Sequence, residues 1–294
     1  MRSARLGLWA FAGVLACGSE PAPVRKGFEL RIESATIHAV DGVVVDQSAV
    51  RSMLREATLL SESFVDPANG PVPVLSTQVR LGEVAGADGG RVLRVELAAE
   101  VPAGHQAVLG KALEATIELE RRDGTLVAEQ DVPIALARGV SVLDAKLQLV
   151  AGSEADAVRL LGAADPEIVV IALEKVARQR WRAVSTKVAE LLTHEDERVV
   201  AAAVECLGTV GGPEHAAALV RHVRLADTDQ ARRLYDTLAS VGGEEARGFL
   251  EFAARNEDDP EMADAARMAL GQLDRGGPVE VASEPAVALR GHRP

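Results

Sequence analysis

Six histidines and two cysteines are the side chains of this 294-residue chain that most readily act as bases, nucleophiles or metal ligands. The histidines stand at 38, 105, 194, 215, 222 and 292, and no pair of them has a ligand spacing. His194, beside Glu195, Asp196 and Glu197, is the one cluster that could hold a cation, but the register of the flanking sequence puts these acids in a solvated connection. The run Glu257, Asp258, Asp259 and Glu261 reads as charge at a helix start and does not follow an EF-hand pattern. The glycine and serine motifs of phosphate-binding loops, dinucleotide-binding turns and nucleophile elbows are missing from the sequence. Cys206 precedes the core position Leu207 in a helical stretch with no histidine in sequence reach, which reads as a buried structural thiol. The expectation is a non-enzymatic chain with no cofactor and no metal.

Positive charge gives the sharper pattern. Arg178, Arg180 and Arg182, then Arg221, His222 and Arg224, then Arg232 and Arg233 recur at what reads as one edge of successive units. In a chain of net charge −12, such a strip would recognise an acidic protein partner. Trp181 sits among them, and Trp and Arg are the residue types most enriched at binding hot spots. The alternative is that these arginines only solvate the surface beside nearby acids. A chain this acidic is a poor nucleic-acid binder.

The elements that must carry these residues are set by a repeated phrase. LGTVGGPEHAAAL begins at Leu207 and LASVGGEEARGFL begins at Leu238, 31 residues on. The same frame reaches back to Val176 and forward, with one added residue, to Leu270. Asp165, Asp196, Asp227 and Asp259 each open a unit, two of them followed by proline, as expected of N-caps at the positive end of a helix. A first helix then buries Ile168, Ala172, Leu173 and Val176, or Val199, Ala203, Val204 and Leu207. A glycine pair turns the corner, and Pro213 starts a second helix with Ala216, Leu219, Val220 and Val223 inward. Arg180 and Trp181 stand where the other units have their glycines. The last unit has only a first helix, residues 262–273, with Arg267 at an otherwise apolar position, as suits an exposed terminal face.

This period, with its acid-led first helix and double-glycine corner, resembles the HEAT repeats, in particular the compact HEAT-like repeat of phycobilin lyases, over residues 140–273. The resemblance implies a helical solenoid and a protein-interaction surface; carried further, it would imply a chromophore-attachment enzyme as an alternative.

Residues 28–139 follow another pattern. FELRIESATI, RVLRVELAAEV and ALEATIELERRDG alternate apolar and polar as half-buried strands do, and TLVAEQDVPIAL follows a turn at Arg122 to Thr125. Between the first two, Val50, Met53, Leu54, Ala57 and Leu60 mark a helix face that Asp46 or Ser48 could cap. The reading is a strand, a helix and about four antiparallel strands in a two-layer α+β domain, with a β-sandwich as the alternative. The fold class is thus an N-terminal α+β domain followed by an all-α HEAT-like solenoid, with residues 274–294 as a mostly disordered tail.

At the other end, Arg2 and Arg5 precede an apolar run of eleven residues, too short to span a bilayer as a helix. Val14, Leu15, Ala16 and Cys17 resemble the lipobox of bacterial lipoproteins. The resemblance implies a signal peptide over residues 1–16, lipidation of Cys17, and a tether over residues 17–27. Gly18 after the cysteine implies the outer membrane, facing the periplasm. The segment after the signal carries a net charge of −14, because residues 1–16 hold Arg2 and Arg5 and no acid. The function expected is a binding or scaffolding lipoprotein of the cell envelope, or a subunit of an envelope assembly or transport complex.

Overall fold

A computed structural model of the chain describes residues 27–40, 42, 45–65, 72–86, 90–120, 126–150, 152–222 and 228–276. They form a four-stranded mixed sheet followed by a helical region. Strand β1 (Glu29–Ile37) leads into helix α1 (Gln47–Thr58), which returns the chain to β2 (Val74–Ala85) parallel to β1. Strands β3 (Arg91–Glu100) and β4 (Ala112–Glu120) continue the sheet antiparallel, with the short helix α2 (Gln106–Leu109) between them. The spatial order is β1-β2-β3-β4, so β1 and β4 are edges.

Alternation decides the faces. Leu75, Thr77, Val79 and Leu81 of β2 are buried on the same side as Leu93, Val95, Leu97 and Ala99 of β3 and Leu113, Ala115 and Ile117 of β4. The opposite face carries charge, paired across strands as Arg80 with Glu96 at 3.5 Å and Arg94 with Glu118 at 2.8 Å. Helices therefore cover one face only, and the unit has the two layers expected.

Three expectations are corrected. The stretch TLVAEQDVPIAL is not a strand: α3 (Ala128–Val150) begins inside it, so three strands, not four, form the antiparallel part. Burial at Ala128, Val132, Ala135, Leu136, Gly139, Val140, Leu143 and Leu147 follows the helical period, and this longer stripe overrides a few residues of apparent alternation. Leu60, assigned to the buried face of α1, lies beyond the helix and is 90% exposed; Val50 and Leu54 are buried and Asp46 caps the start, accepting from the Ser48 N–H at 3.2 Å. Gly139, taken as the start of the helical region, lies within α3 against the sheet. A Cβ there would meet Leu97 Cδ1 at 2.7 Å, so the glycine sets how closely α3 approaches β3.

Beyond α3, α4 (Glu154–Leu160) starts with a capping box between Ser153 and Asp156. The next elements are α5 (Pro166–Gln179), α6 (Ser185–Glu190), α7 (Glu197–Val210), α8 (Ala216–His222), α9 (Thr228–Val241), α10 (Glu244–Asn256) and α11 (Pro260–Gly276). Helices α5, α7, α9 and α11 start 31, 31 and 32 residues apart, the spacing read from the sequence. Asp165, Asp196 and Asp259 each accept the N–H two residues on, at 2.9–3.0 Å. Helix α5 packs on α7, α7 on α9, and α9 on α11, while α10 also contacts α8. Val199, Ala203, Val204 and Leu207 are buried as expected, as are Ala216 and Leu219. Arg267 is exposed and reaches the Ala254 carbonyl at 3.1 Å. Residues 274–276, expected in the tail, belong to the end of α11, and the rest of the expected tail lies outside the described residues.

Candidate binding site

The end of α5 is built differently from the ends of α7 and α9. Arg180 closes the helix in the left-handed region, φ 53° and ψ 43°, and is the only non-glycine residue with positive φ among those described. Its N–H donates to Ala177 O at 3.1 Å, and the Trp181 N–H donates to Val176 O at 3.2 Å, which satisfies two end carbonyls. The corresponding corner after α9 has Gly242 at φ 77° and Gly243 at φ 95°, where no Cβ opposes the turn. Arginine in that conformation costs about 1–2 kcal/mol in steric strain.

Trp181 is half-buried against the core, and Lys175 Nζ lies 6.0 Å from its ring centroid. Lys175 also donates to the Val150 carbonyl at 3.4 Å, and burial, then the neighbouring charge of Arg178, lowers its pKa. Arg178, Arg180 and Arg182 are exposed, and none has a carboxylate partner among the described residues. Elsewhere most of the described arginines are paired, as in Arg138–Asp165, Arg198–Asp196, Arg247–Asp274 and Arg255–Glu251. The corner therefore brings Arg178, Arg180 and Arg182 together in sequence with Trp181 and the neighbouring Lys175, and none of these arginines is neutralised by a carboxylate among the described residues.

Among the described residues, the arginines expected to form a longer strip fall at different levels of the helical stack. Arg233 Nη1 lies 3.5 Å from Glu205 Oε1, Thr237 Oγ1 donates to Val204 O at 3.4 Å, and a Cβ at Gly211 would meet Val241 Cγ2 at 3.3 Å. These contacts advance together along α7 and α9, so the two helices run parallel. The Arg198–Glu167 pair, at 3.6 Å, joins the starts of α5 and α7 in the same sense. Arg178, Arg180 and Arg182 thus lie at the C-terminal end of this set of helices, whereas Arg232 and Arg233 lie in the first half of α9. Arg221, on α8, is carried back from the corner at Gly211. It is exposed, the His222 side chain and Arg224 lie outside the described residues, and Arg233 is engaged with Glu205. Cys17 also lies outside the described residues.

Several other chemically capable side chains among the described residues make structural contacts. Cys206 is buried, and burial pushes its thiol up to about 12, far from a thiolate at neutral pH. His194 Nδ1 accepts the Asp196 N–H at 3.0 Å, while the Asp196 carboxylate takes the Arg198 N–H and guanidinium. The cluster proposed for a cation is a closed turn. His215 is buried, with Nδ1 accepting the Gly212 N–H at 3.1 Å. In the acidic run, Glu257 accepts from Tyr235 at 3.2 Å and Asp259 caps α11. Sequence reasoning missed Lys175, although it stands one helical turn before Arg178 on α5.

No protein-family model matches this chain, and no curated protein matches it in sequence.

Proposed function

We propose that this chain is a lipid-anchored, non-enzymatic binding protein of the bacterial cell envelope, whose HEAT-like helical solenoid presents the corner at Arg178, Arg180, Trp181 and Arg182 to an acidic protein partner. The observation that carries the reading is the set of unpaired arginines around Trp181, one of them held in a strained backbone conformation in a chain of net charge −12. Strain of this kind persists where something other than stability maintains it. The 31, 31 and 32-residue spacing of the first helices and their successive packing support the repeat reading. Among the described residues no helix is long and apolar enough to cross a membrane, and the attachment proposed is acylation of Cys17. At about 0.8 kcal/mol per buried methylene, more than one acyl chain gives a stable anchor.

Two expected outcomes test the parts separately. Cys17→Ser should move the protein from the membrane to the soluble fraction; unchanged fractionation would remove the lipid anchor from the proposal. The triple charge reversal Arg178→Glu, Arg180→Glu and Arg182→Glu should reduce capture of the partner by crosslinking in native membranes at least tenfold, with the circular dichroism spectrum unchanged. Arg180→Gly relieves the left-handed strain, so it should fold at least as stably as wild type while capturing less partner. Undiminished crosslinking by the triple variant would exclude the corner as the site.

A further inference from the structure

Among the described residues the sheet has an open edge that the proposed function does not use. The Phe28 N–H donates to Ser63 O at 2.9 Å and Phe28 O accepts the Val65 N–H at 3.0 Å, so residues 63–65 lie parallel along the outer edge of β1. The Glu29 N–H turns the other way, to Pro73 O at 2.9 Å. Alternation then directs the N–H and C=O of Leu30 and Ile32 outward, with the register shift of β1 falling just beyond, between Ile32 and Ser34. Among the described residues this pairing ends at Phe28. Leu30 and Ile32 have no outward hydrogen-bond partner among the described residues.

Beside this edge lies a cleft of about 600 Å³ between β1 and α1. Leu30, Ile32, Leu54 and Phe64 supply its apolar walls, and Leu59, 67% exposed, stands at its rim. Arg51 and Arg55, one helical turn apart on α1, also line it, and Arg51 has no carboxylate partner among the described residues. Arg31 at the mouth is held by Glu29 through two bonds of 2.9 Å.

From this juxtaposition we infer a second binding site: the edge at Leu30 and Ile32 accepts an extended acidic–apolar peptide segment of another protein as an added strand. The open backbone groups supply main-chain hydrogen bonds, the mode of strand addition at sheet edges. Side chains two residues apart on one face of the guest are about 6.8 Å apart, close to the one-turn separation of Arg51 and Arg55. An apolar guest side chain therefore packs beside the half-buried Leu30 or Ile32 while a carboxylate two positions away meets an arginine. The charge of Arg51, which has no carboxylate partner among the described residues, selects an acidic guest over a neutral or basic one.

The test uses the purified full-length chain in detergent and a fluorescein-labelled peptide in which threonine alternates with valine and glutamate. Saturable binding by fluorescence anisotropy is expected. It should weaken at least tenfold for Arg51→Glu/Arg55→Glu, and at least tenfold for a peptide N-methylated at alternate residues, which keeps the side chains and loses the strand donors. Equal affinity for the N-methylated peptide, or for a peptide with lysine in place of glutamate, would overturn the proposal. A protein that sediments as a dimer, dissociates on reversing Arg51 and Arg55, and binds no peptide would make this edge a contact between copies and would equally overturn it.

Discussion

Leu207→Asp should unfold the helical region, lowering stability by more than about 4 kcal/mol in urea titrations followed by circular dichroism. Leu207 is fully buried on α7, a helix packed between α5 and α9. Truncating a buried leucine alone costs about 2–5 kcal/mol. The aspartate adds a polar group with no partner in that layer, which costs more again. Against a total of about 5–15 kcal/mol for an ordinary domain, the sum removes most of the margin. Glu205→Ala supplies the contrast two residues away. Its carboxylate, 62% exposed, pairs with Arg233 at 3.5 Å in solvent, and such pairs are worth less than about 1 kcal/mol. Equal midpoints for the two variants would mean that Leu207 does not face the interior of the stack.

The reason Leu207 could be named from the sequence is that the helical region states its frame locally. Asp165, Asp196 and Asp259 cap their helices with their own side chains, and apolar residues at helical spacing follow each cap. What the sequence did not carry was direction and distance. The parallel pairing of β1 with β2 cannot be seen in the alternation of either strand; the cue was α1 between them, since a parallel pair needs a crossover. The stretch at Thr125 to Leu136 reads as a strand only if the window stops at Leu136. Val140, Leu143 and Leu147 extend its helical stripe through a boundary expected at Gly139, where α3 instead packs on Leu97. The described arginines of the expected strip fall at different levels for a related reason. Position 211 is the equivalent of Arg180 one period on, so Arg221 is ten residues past it and belongs to a different helix. Arg180 and Trp181 were legible because they stood in place of glycines. The Leu30 edge was not, because an unpaired backbone group has no signature in side-chain types.

Asp165→Ala should cost about 2–3 kcal/mol, and much of that cost should disappear in acid. The carboxylate accepts the Glu167 N–H at 3.0 Å as the N-cap of α5, and it accepts Arg138 Nε at 2.8 Å and Nη2 at 3.2 Å from α3. Loss of an N-cap costs about 1 kcal/mol. Loss of a partly buried, two-pronged arginine partner adds a similar or larger amount, because the Arg138 side chain is only 33% exposed. Burial works to raise the pKa of Asp165, but the hydrogen bonds from Arg138 and the Glu167 N–H and the charges of Arg138 and Arg198 outweigh it and hold the carboxyl below its ordinary value. A carboxyl with a depressed folded pKa stabilises the fold fully above its unfolded value, about 3.9, and loses that contribution as pH falls through the folded one. Asp196, held down chiefly by its bond from Arg198, follows the same sign. Wild type should therefore lose stability below about pH 4, and Asp165→Asn, which keeps a capping oxygen without the charge, should lose less of it. The gap between wild type and Asp165→Asn, measured by urea titration from pH 7 to pH 3, should narrow on acidification. A gap that stays constant would show that the ion pair does not stabilise the fold through its charge. Because Arg138 lies on the helix that packs against the sheet while Asp165 starts the first of the 31-residue units, breaking their contact should also split one unfolding transition into two, with the sheet and α3 outlasting the helices beyond Asp165.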